Sequence, residues 1–273
     1  MKEALYQLSQ PPVVARILAL IDGGDGTASG STCSPSLLGR NDNPGCLLET
    51  MSFLPMHTGD VTFPSLAGQQ GGIYAFAIRA GSRVVLFETG VGHGNKFIDR
   101  YYRPVHRPLL EVLGEHGVHR DDVSAIVNSH LHFDHCGGNP LFPAVPIHVQ
   151  SVELQAAHQA NYTALEWVDF DGALYEEHDG DYEIADGVQV LATTGHTVGH
   201  QSTSVLTAAG RITLAGQAIY SRDECVFIER NGKLPPDADA PSEQYLESAL
   251  RLIRMNPVEL HFSHDHMVWR RDD

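Results

Sequence analysis

The stretch Ser129-His130-Leu131-His132-Phe133-Asp134-His135 puts four metal-capable side chains, His130, His132, Asp134 and His135, within six positions. Packing offers no reason for such a run. A core strand wants apolar residues on at least one face, and a surface strand has no use for three imidazoles. Residues 123–129, Val-Ser-Ala-Ile-Val-Asn-Ser, are β-branched at first and polar at the end, which predicts a short strand. Cys136-Gly137-Gly138-Asn139-Pro140 then supplies turn chemistry. The cluster therefore sits where a strand runs out into a loop, the place where open sheets carry their chemistry.

Further histidines follow in the same kind of setting. The strand-like run 188–192 leads into Thr193-Thr194-Gly195-His196-Thr197-Val198-Gly199-His200, which reads as a tight turn presenting one imidazole. Glu259-Leu260-His261-Phe262-Ser263-His264-Asp265-His266 ends a short apolar strand in histidine as well. Zinc and similar borderline-soft dications take neutral imidazole, with carboxylate oxygen completing the shell. A group of three histidines and a group of one carboxylate with two histidines would hold two ions near each other.

On these residues the chain resembles the metallo-β-lactamase-fold hydrolases, and among them the N-acyl-homoserine lactonases that quench bacterial quorum signals. The matching positions are residues 129–135 with Gly137-Gly138-Asn139, then Gly180-Asp181-Tyr182-Glu183, then residues 187–191, then Gly195-His196-Thr197 with Gly199-His200-Gln201-Ser202. The likeness covers roughly residues 70–270. The His-x-His-x-Asp-His motif is highly specific for the superfamily and much less so for the substrate, because one scaffold serves many hydrolases.

The resemblance implies an α/β fold, an αββα sandwich of two mixed sheets flanked by helices. It assigns His130, His132 and His196 to one metal, and Asp134, His135 and His264 to the other, with zinc as the expected ion. His261 and His266 compete with His264, which is preferred because Ser263-His264-Asp265 matches the family's terminal motif. His200 is expected to support the site from behind, and His148, His158 and His178 to be ordinary surface residues. The implied reaction opens a lactone ring by attack of a metal-activated water on the acyl carbon. Asp134 would pass the proton to the leaving ring oxygen, Tyr220 would contact the substrate carbonyl, and Phe133 would wall the pocket. Cys136 has no evident base partner, and Gly-x-Ser-x-Gly is absent, so no covalent nucleophile is expected.

Two positions depart from the family pattern. Gln217 stands where the family has an aspartate that bridges both metals. A neutral amide cannot bridge two cations, so one ion, a labile second ion, or a pair bridged only by hydroxide are all open. Glu88-Thr89-Gly90 replaces the usual Asp-Thr-Gly, a milder change because that acid acts from behind the ligands. Two other readings accompany the lactonase: a hydrolase of the same fold cleaving an ester, amide, thioester or phosphoester, and a metal-holding sensor without turnover.

Composition agrees with a globular enzyme. The chain has 273 residues, is 42% hydrophobic and carries a net charge of −16, with four cysteines. It is long enough for a substantial core in one domain spanning residues 1–273. The acidic balance argues against nucleic acid and anionic membranes as partners and leaves a small-molecule substrate. No apolar run reaches membrane-spanning length and no signal-peptide core precedes Asp22, so a cytoplasmic location is expected. Cys33 and Cys46 would pair only in an exported protein, while Cys136 and Cys225 read as small buried fillers.

Along the chain, residues 13–21 read as an opening strand and 23–45 as a loop. The stretch 31–66 is expected to be a lid or a homodimer contact, whose Leu48, Met51, Phe53, Leu54, Met56 and Phe63 suit an acyl chain or a partner subunit. Strands are expected at 73–79 and 83–88, joined by Ala80-Gly81-Ser82, and a further strand at 211–220. Helices are expected at 108–116, with Leu109, Leu110, Val112 and Leu113 on one face, at 151–160, and at 242–255 behind the N-cap Ser242.

Overall fold

The structure is a computed structural model, and it describes residues 52–63, 69–80, 83–236, 238 and 242–271. The expected opening strand at 13–21, the 23–45 loop, Leu48, Met51 and the Cys33–Cys46 pair lie outside these residues.

The first sheet is built from β1 (Ser52–Phe63), β2 (Gln69–Ala80), β3 (Arg83–Phe87), β4 (Val105–His106), β5 (Val123–Val127), β6 (Pro146–Gln150) and β7 (Leu174–His178), in the order β4-β1-β2-β3-β5-β6-β7. Its β4-to-β3 part is antiparallel, and β3, β5, β6 and β7 run parallel. The second sheet takes β8 (Tyr182–Ala185), β9 (Val188–Ala192), β10 (Gln201–Thr207), β11 (Gly210–Leu214), β12 (Glu259–His261) and β13 (Trp269–Arg270), in the order β13-β12-β11-β10-β9-β8. There only the β11–β12 pair is parallel. Both sheets are mixed.

Period-two alternation decides which residues each layer buries. Phe76 and Ile78 of β2, Val85 and Phe87 of β3, and Ala125 and Val127 of β5 pack against Val188, Val190, Val205 and Leu214 of the second sheet. The intervening Ala75, Ala77, Val84, Leu86 and Ile126 face the other way, onto Leu109, Val112 and Leu113 of α2 (Leu109–Glu115). Strands buried on both faces read as near-continuous apolar runs, as 73–78 and 83–87 do. Outside the second sheet, α5 (Arg222–Asn231) and α6 (Glu243–Arg254) bury Cys225, Ile228, Ala249 and Leu252 on Leu191, Ala215, Leu260 and Phe262. The layer order helix–sheet–sheet–helix is the expected sandwich. Ser242 caps α6 by accepting from the Tyr245 N–H, as its sequence position implies. Three shorter helices lie between strands: α1 (Lys96–Tyr101), α3 (Phe133–Cys136) and α4 (Ser151–Ala157).

Several expectations are corrected. Of the segment 31–66 the structure describes residues 52–63, which are the strand β1, paired with β2 along its length and with β4 at Gly59 and Asp60. Met56 is buried in the core under α2 and is not free for an acyl chain or a partner, and Leu54 is partly buried against that same core. Leu110 is exposed, because Leu109, Val112 and Leu113 already fill the i, i+3, i+4 face of α2. The expected strand 211–220 stops at Leu214, where Gly216 turns the chain with φ +61°. His148 and His178 are not ordinary surface residues. Their ring nitrogens meet at 2.9 Å, and His178 stacks on Tyr182 at 3.5 Å where the two sheets open. His158, by contrast, is exposed and pairs with Asp169. Among the described residues no helix is long and apolar enough to cross a membrane.

Phe87 is fully buried between the sheets, so Phe87→Ala is expected to cost about 3–5 kcal/mol in urea unfolding, while Leu110→Ala stays within about 0.5 kcal/mol. Burial and the adjacent His178 push His148 down from 6.5 to about 4. The unfolded chain then takes up the proton first as pH falls, so His148 contributes stability above its unfolded value and loses it between about pH 6.5 and about pH 4. The urea midpoint should fall across that window, and more steeply for the native protein than for His148→Leu. Equal slopes would remove His148 from the account.

Candidate metal centre

Four loops, each following a strand, deliver the candidate ligands to one edge of the sandwich. His130 to His135 follow β5, His196 follows β9, Gln217 and Tyr220 follow β11, and His264 follows β12. Backbone groups hold the first loop. The His135 carbonyl accepts from Asn128 Nδ2 at 2.9 Å and from the Thr89 N–H at 2.9 Å, and the Thr89 hydroxyl lies 3.1 Å away. Asn139 Nδ2 donates to Asn128 Oδ1, and Gln201 Nε2 donates to the Asn128 carbonyl, both at 2.9 Å. The polar residues around the motif, Asn128 and Asn139 included, thus form one buried network behind it.

The ligand atoms converge as two adjoining trios. Those of His130, His132 and His196 lie within 4.8 Å of one another, as do those of Asp134, His135 and His264. In the first trio, His132 Nδ1 is 2.9 Å from His130 Nε2 and 3.3 Å from His196 Nε2. In the second, His264 Nε2 is 3.2 Å from His135 Nε2 and 3.6 Å from an Asp134 oxygen. The His130 and His135 rings, one from each trio, are 4.0 Å apart. Burial and neighbouring imidazoles push His130 and His132 well below the ordinary histidine range. They are held neutral, which is the form that binds a cation.

The far nitrogens of two rings are hydrogen-bonded from behind and that of a third faces a carboxylate, which leaves the other nitrogen of each ring inward. His130 Nδ1 meets the Ser129 hydroxyl at 2.9 Å, His264 Nδ1 the Gly72 carbonyl at 3.1 Å, and His135 Nδ1 a Glu88 oxygen at 3.2 Å. Burial opposes charge on His135, but Glu88 and Asp134 outweigh it and raise the imidazole above its ordinary value. Glu88 is fully buried and has φ +69°, a conformation that costs a non-glycine residue of order 1 kcal/mol or more. Its other contacts are the Ser129 N–H at 3.3 Å and the Ser263 hydroxyl at 3.4 Å, so one carboxyl touches both the β5 and β12 loops.

A second buried acid was not legible in the sequence. Glu153 of α4 is fully buried and accepts from the Leu131 N–H at 2.9 Å, Thr197 Oγ1 at 2.7 Å, the Gly199 N–H at 3.2 Å and the Tyr162 hydroxyl. Leu131 lies between His130 and His132, and Thr197 follows His196, so this side chain clamps the two loops of the first trio together. A side chain at 199 would put its Cβ 2.4 Å from that of Glu153, which explains the glycine there. In sequence Glu153 looks like any acid in the first turn of a helix, and only the topology turns it inward.

Gln217 is buried, its backbone N–H donating to His200 Nε2 at 2.9 Å and its side chain lying beside His135. His200 therefore carries its proton on Nδ1, toward Thr193 Oγ1 at 2.9 Å, and supports the Gln217 turn rather than facing the trios. Gly216 is required there, since a Cβ would sit 2.7 Å from His200 Nε2 and 2.8 Å from Ser129 Cβ. Tyr220 stacks on His264 at 5.1 Å and 17°. Phe133 packs on Tyr102 at 4.4 Å in an apolar body with Val61, Ile73, Ile98 and Trp167. His261 lies against Phe76 and Glu259, and His266 is exposed, so neither joins a trio. Cys136 is buried with its thiol pushed up by burial, which suits a packing residue and not a nucleophile.

The donor set fits divalent metal: five imidazoles and one carboxylate converge, and three of the rings have a polar partner at the outward nitrogen. Replacing Glu153 by Gln should break at least one arm of the clamp, since the new amide N–H₂ faces donors. The expected outcome is a loss of about 1–3 kcal/mol in urea unfolding and about 10- to 100-fold weaker metal binding at the first trio. Unchanged stability together with unchanged metal affinity would show that the clamp is dispensable.

Residues 68–264 match the family model described as the metallo-beta-lactamase superfamily. An N-acyl homoserine lactonase from Bacillus sp is 36% identical over 162 residues, 58% of this chain and 62% of that protein. One from Bacillus thuringiensis is 39% identical over 117 residues, 42% of this chain and 46% of that protein. The chain thus spans less than two thirds of the length of these curated relatives. A solved quorum-quenching N-acyl homoserine lactone lactonase superposes with a TM-score of 0.65 at 26% identity, covering 80% of this chain and 93% of that one. An N-acyl homoserine lactone hydrolase with N-hexanoyl-L-homoserine bound at its catalytic metal centre gives 0.64 at 26%, covering 80% and 94%. With fold, motif and family model in agreement over most of its length, the chain belongs to the metallo-beta-lactamase superfamily.

Proposed function

We propose that this protein is a metal-dependent hydrolase that opens small lactones, N-acyl-homoserine lactones foremost. The observation that carries the reading is the pair of adjoining donor trios with Tyr220 stacked on His264 beside them. Similarity to lactonases in both sequence and structure supports the substrate class.

Bound zinc would supply a Lewis acid and lower the pKa of a water toward neutrality. The chain's own residues supply the rest. Asp134, with its oxygens 3.6 Å from His264 and 3.8 Å from His135, is the group that takes a proton and returns it to the departing ring oxygen. Tyr220 donates its hydroxyl to the lactone carbonyl as charge develops on that oxygen. The apolar body around Phe133 and Tyr102 gives the acyl chain a dry wall. Glu88, 3.2 Å behind His135 Nδ1, keeps that ring oriented. Zinc, a cytoplasmic setting and a homodimer complete the reading, the last checked by sedimentation.

Hydrolysis of acyl-homoserine lactones, a simple γ-lactone, a thioester and a phosphotriester by the zinc-loaded protein tests the proposal through proton release. Lactone turnover should vanish on chelation, return with zinc, and drop about 10- to 1,000-fold in Tyr220→Phe with the metal retained. Cleavage of the thioester or phosphotriester with the lactones untouched would move the protein to another hydrolase class. Full metal loading with no turnover on any substrate would leave a binding role.

A further inference from the structure

We propose that the two trios bind metal with unequal strength: the Asp134–His135–His264 group fills first and tightly, the His130–His132–His196 group second and exchangeably, with Gln217 setting the gap. This rests on the metal-dependent reading above and adds the order in which the centre is assembled.

The inference follows from where the negative charge lies. The second trio contains the Asp134 carboxylate, and Glu88 stands 3.2 Å behind His135 in a fully buried position. A carboxylate against the outer nitrogen strengthens the imidazole as a donor, and burial keeps its field from being screened. The first trio consists of three imidazoles. His130 is backed by the Ser129 hydroxyl, and Glu153 reaches only the Leu131 and Gly199 N–H groups and the Thr197 and Tyr162 hydroxyls, so its charge acts from one shell farther out. An ion entering there meets a filled neighbour, since rings of the two trios are 4.0 Å apart. Gln217, buried beside His135, offers a neutral amide. Nothing on that side chain offsets the repulsion of two dications. A carboxylate at the same position would, and the gain falls on whichever ion binds second.

The test titrates the metal-free full-length chain with Co²⁺ alone, in competition with a chromophoric chelator, following visible absorption. Two steps are expected. His196→Ala should keep the tight one and lose the weak one. His264→Ala should lose the tight one, with Asp134→Asn as the substitute if that variant does not fold by circular dichroism. Glu88→Gln should weaken the tight step. Gln217→Asp should strengthen the weak step by at least about 30-fold, the gain of one unit negative charge ~4 Å from a dication even at water-like screening, while Gln217→Asn should not. Equal steps, a tight step that survives in His264→Ala and disappears in His196→Ala, or a weak step unmoved by Gln217→Asp would each overturn the proposal. Lactone hydrolysis is scored separately. If no lactone opens but the two steps behave as stated, only the substrate reading falls. If lactones open and the order fails, only this inference falls.

Discussion

Five imidazoles turned toward one another are in conflict unless something else satisfies them. Burial and neighbouring imidazoles hold His130 and His132 well below the ordinary histidine range while Glu88 and Asp134 raise His135, so rings meeting nitrogen to nitrogen near 3 Å have few protons to share. The fold holds this arrangement from outside. Ser129, Gly72 and Glu88 engage the outward nitrogens, Asn128 and Thr89 hold the His135 carbonyl, and Glu153 ties two loops together. The inward-facing lone pairs are the donors a divalent cation takes. The whole centre is a preorganised set of lone pairs whose stability is borrowed from the polar network behind it.

That network also explains why the ligands come from both sheets. Glu88 at the end of β3 contacts the β5 and β12 loops, and Glu153 at the start of α4 contacts the β5 and β9 loops. Each buried acid accepts from groups far apart in sequence, so the closed sandwich is what brings the ligand loops together. A weakened clamp loosens a trio without unfolding the sheets, whose interior rests on Phe76, Phe87 and the valines opposite.

Much of this could be read in the chain beforehand, and the reasons are physical. The helices near 109–115, 151–157 and 243–254 and the strands near 73–79, 83–87, 123–127 and 188–192 follow from local periodicity and caps, which act over a few residues. The His130–His135 run was legible because no packing demand produces it. What escaped depends on contacts distant in sequence. Residues 52–63 look like loop because proline, glycine and threonine interrupt the run, yet pairing with β2 makes them a strand. Residues 211–220 look like one strand, yet Gly216 turns it with a positive φ, in a space against His200 and Ser129 that admits no side chain, and puts the Gln217 N–H on His200. Glu153 and the His148–His178 pair carry no local mark at all, since their burial is decided by which layer lies above them.

The central claim is that two trios, and not a scatter of histidines, take up the metal. Zinc-edge X-ray absorption on the metal-free chain given two equivalents of Zn²⁺ tests it most directly. The account predicts a nitrogen and oxygen shell at about 2.0–2.1 Å with imidazole scattering of two to three rings per ion. A shell of oxygen alone, without the imidazole pattern, would contradict it.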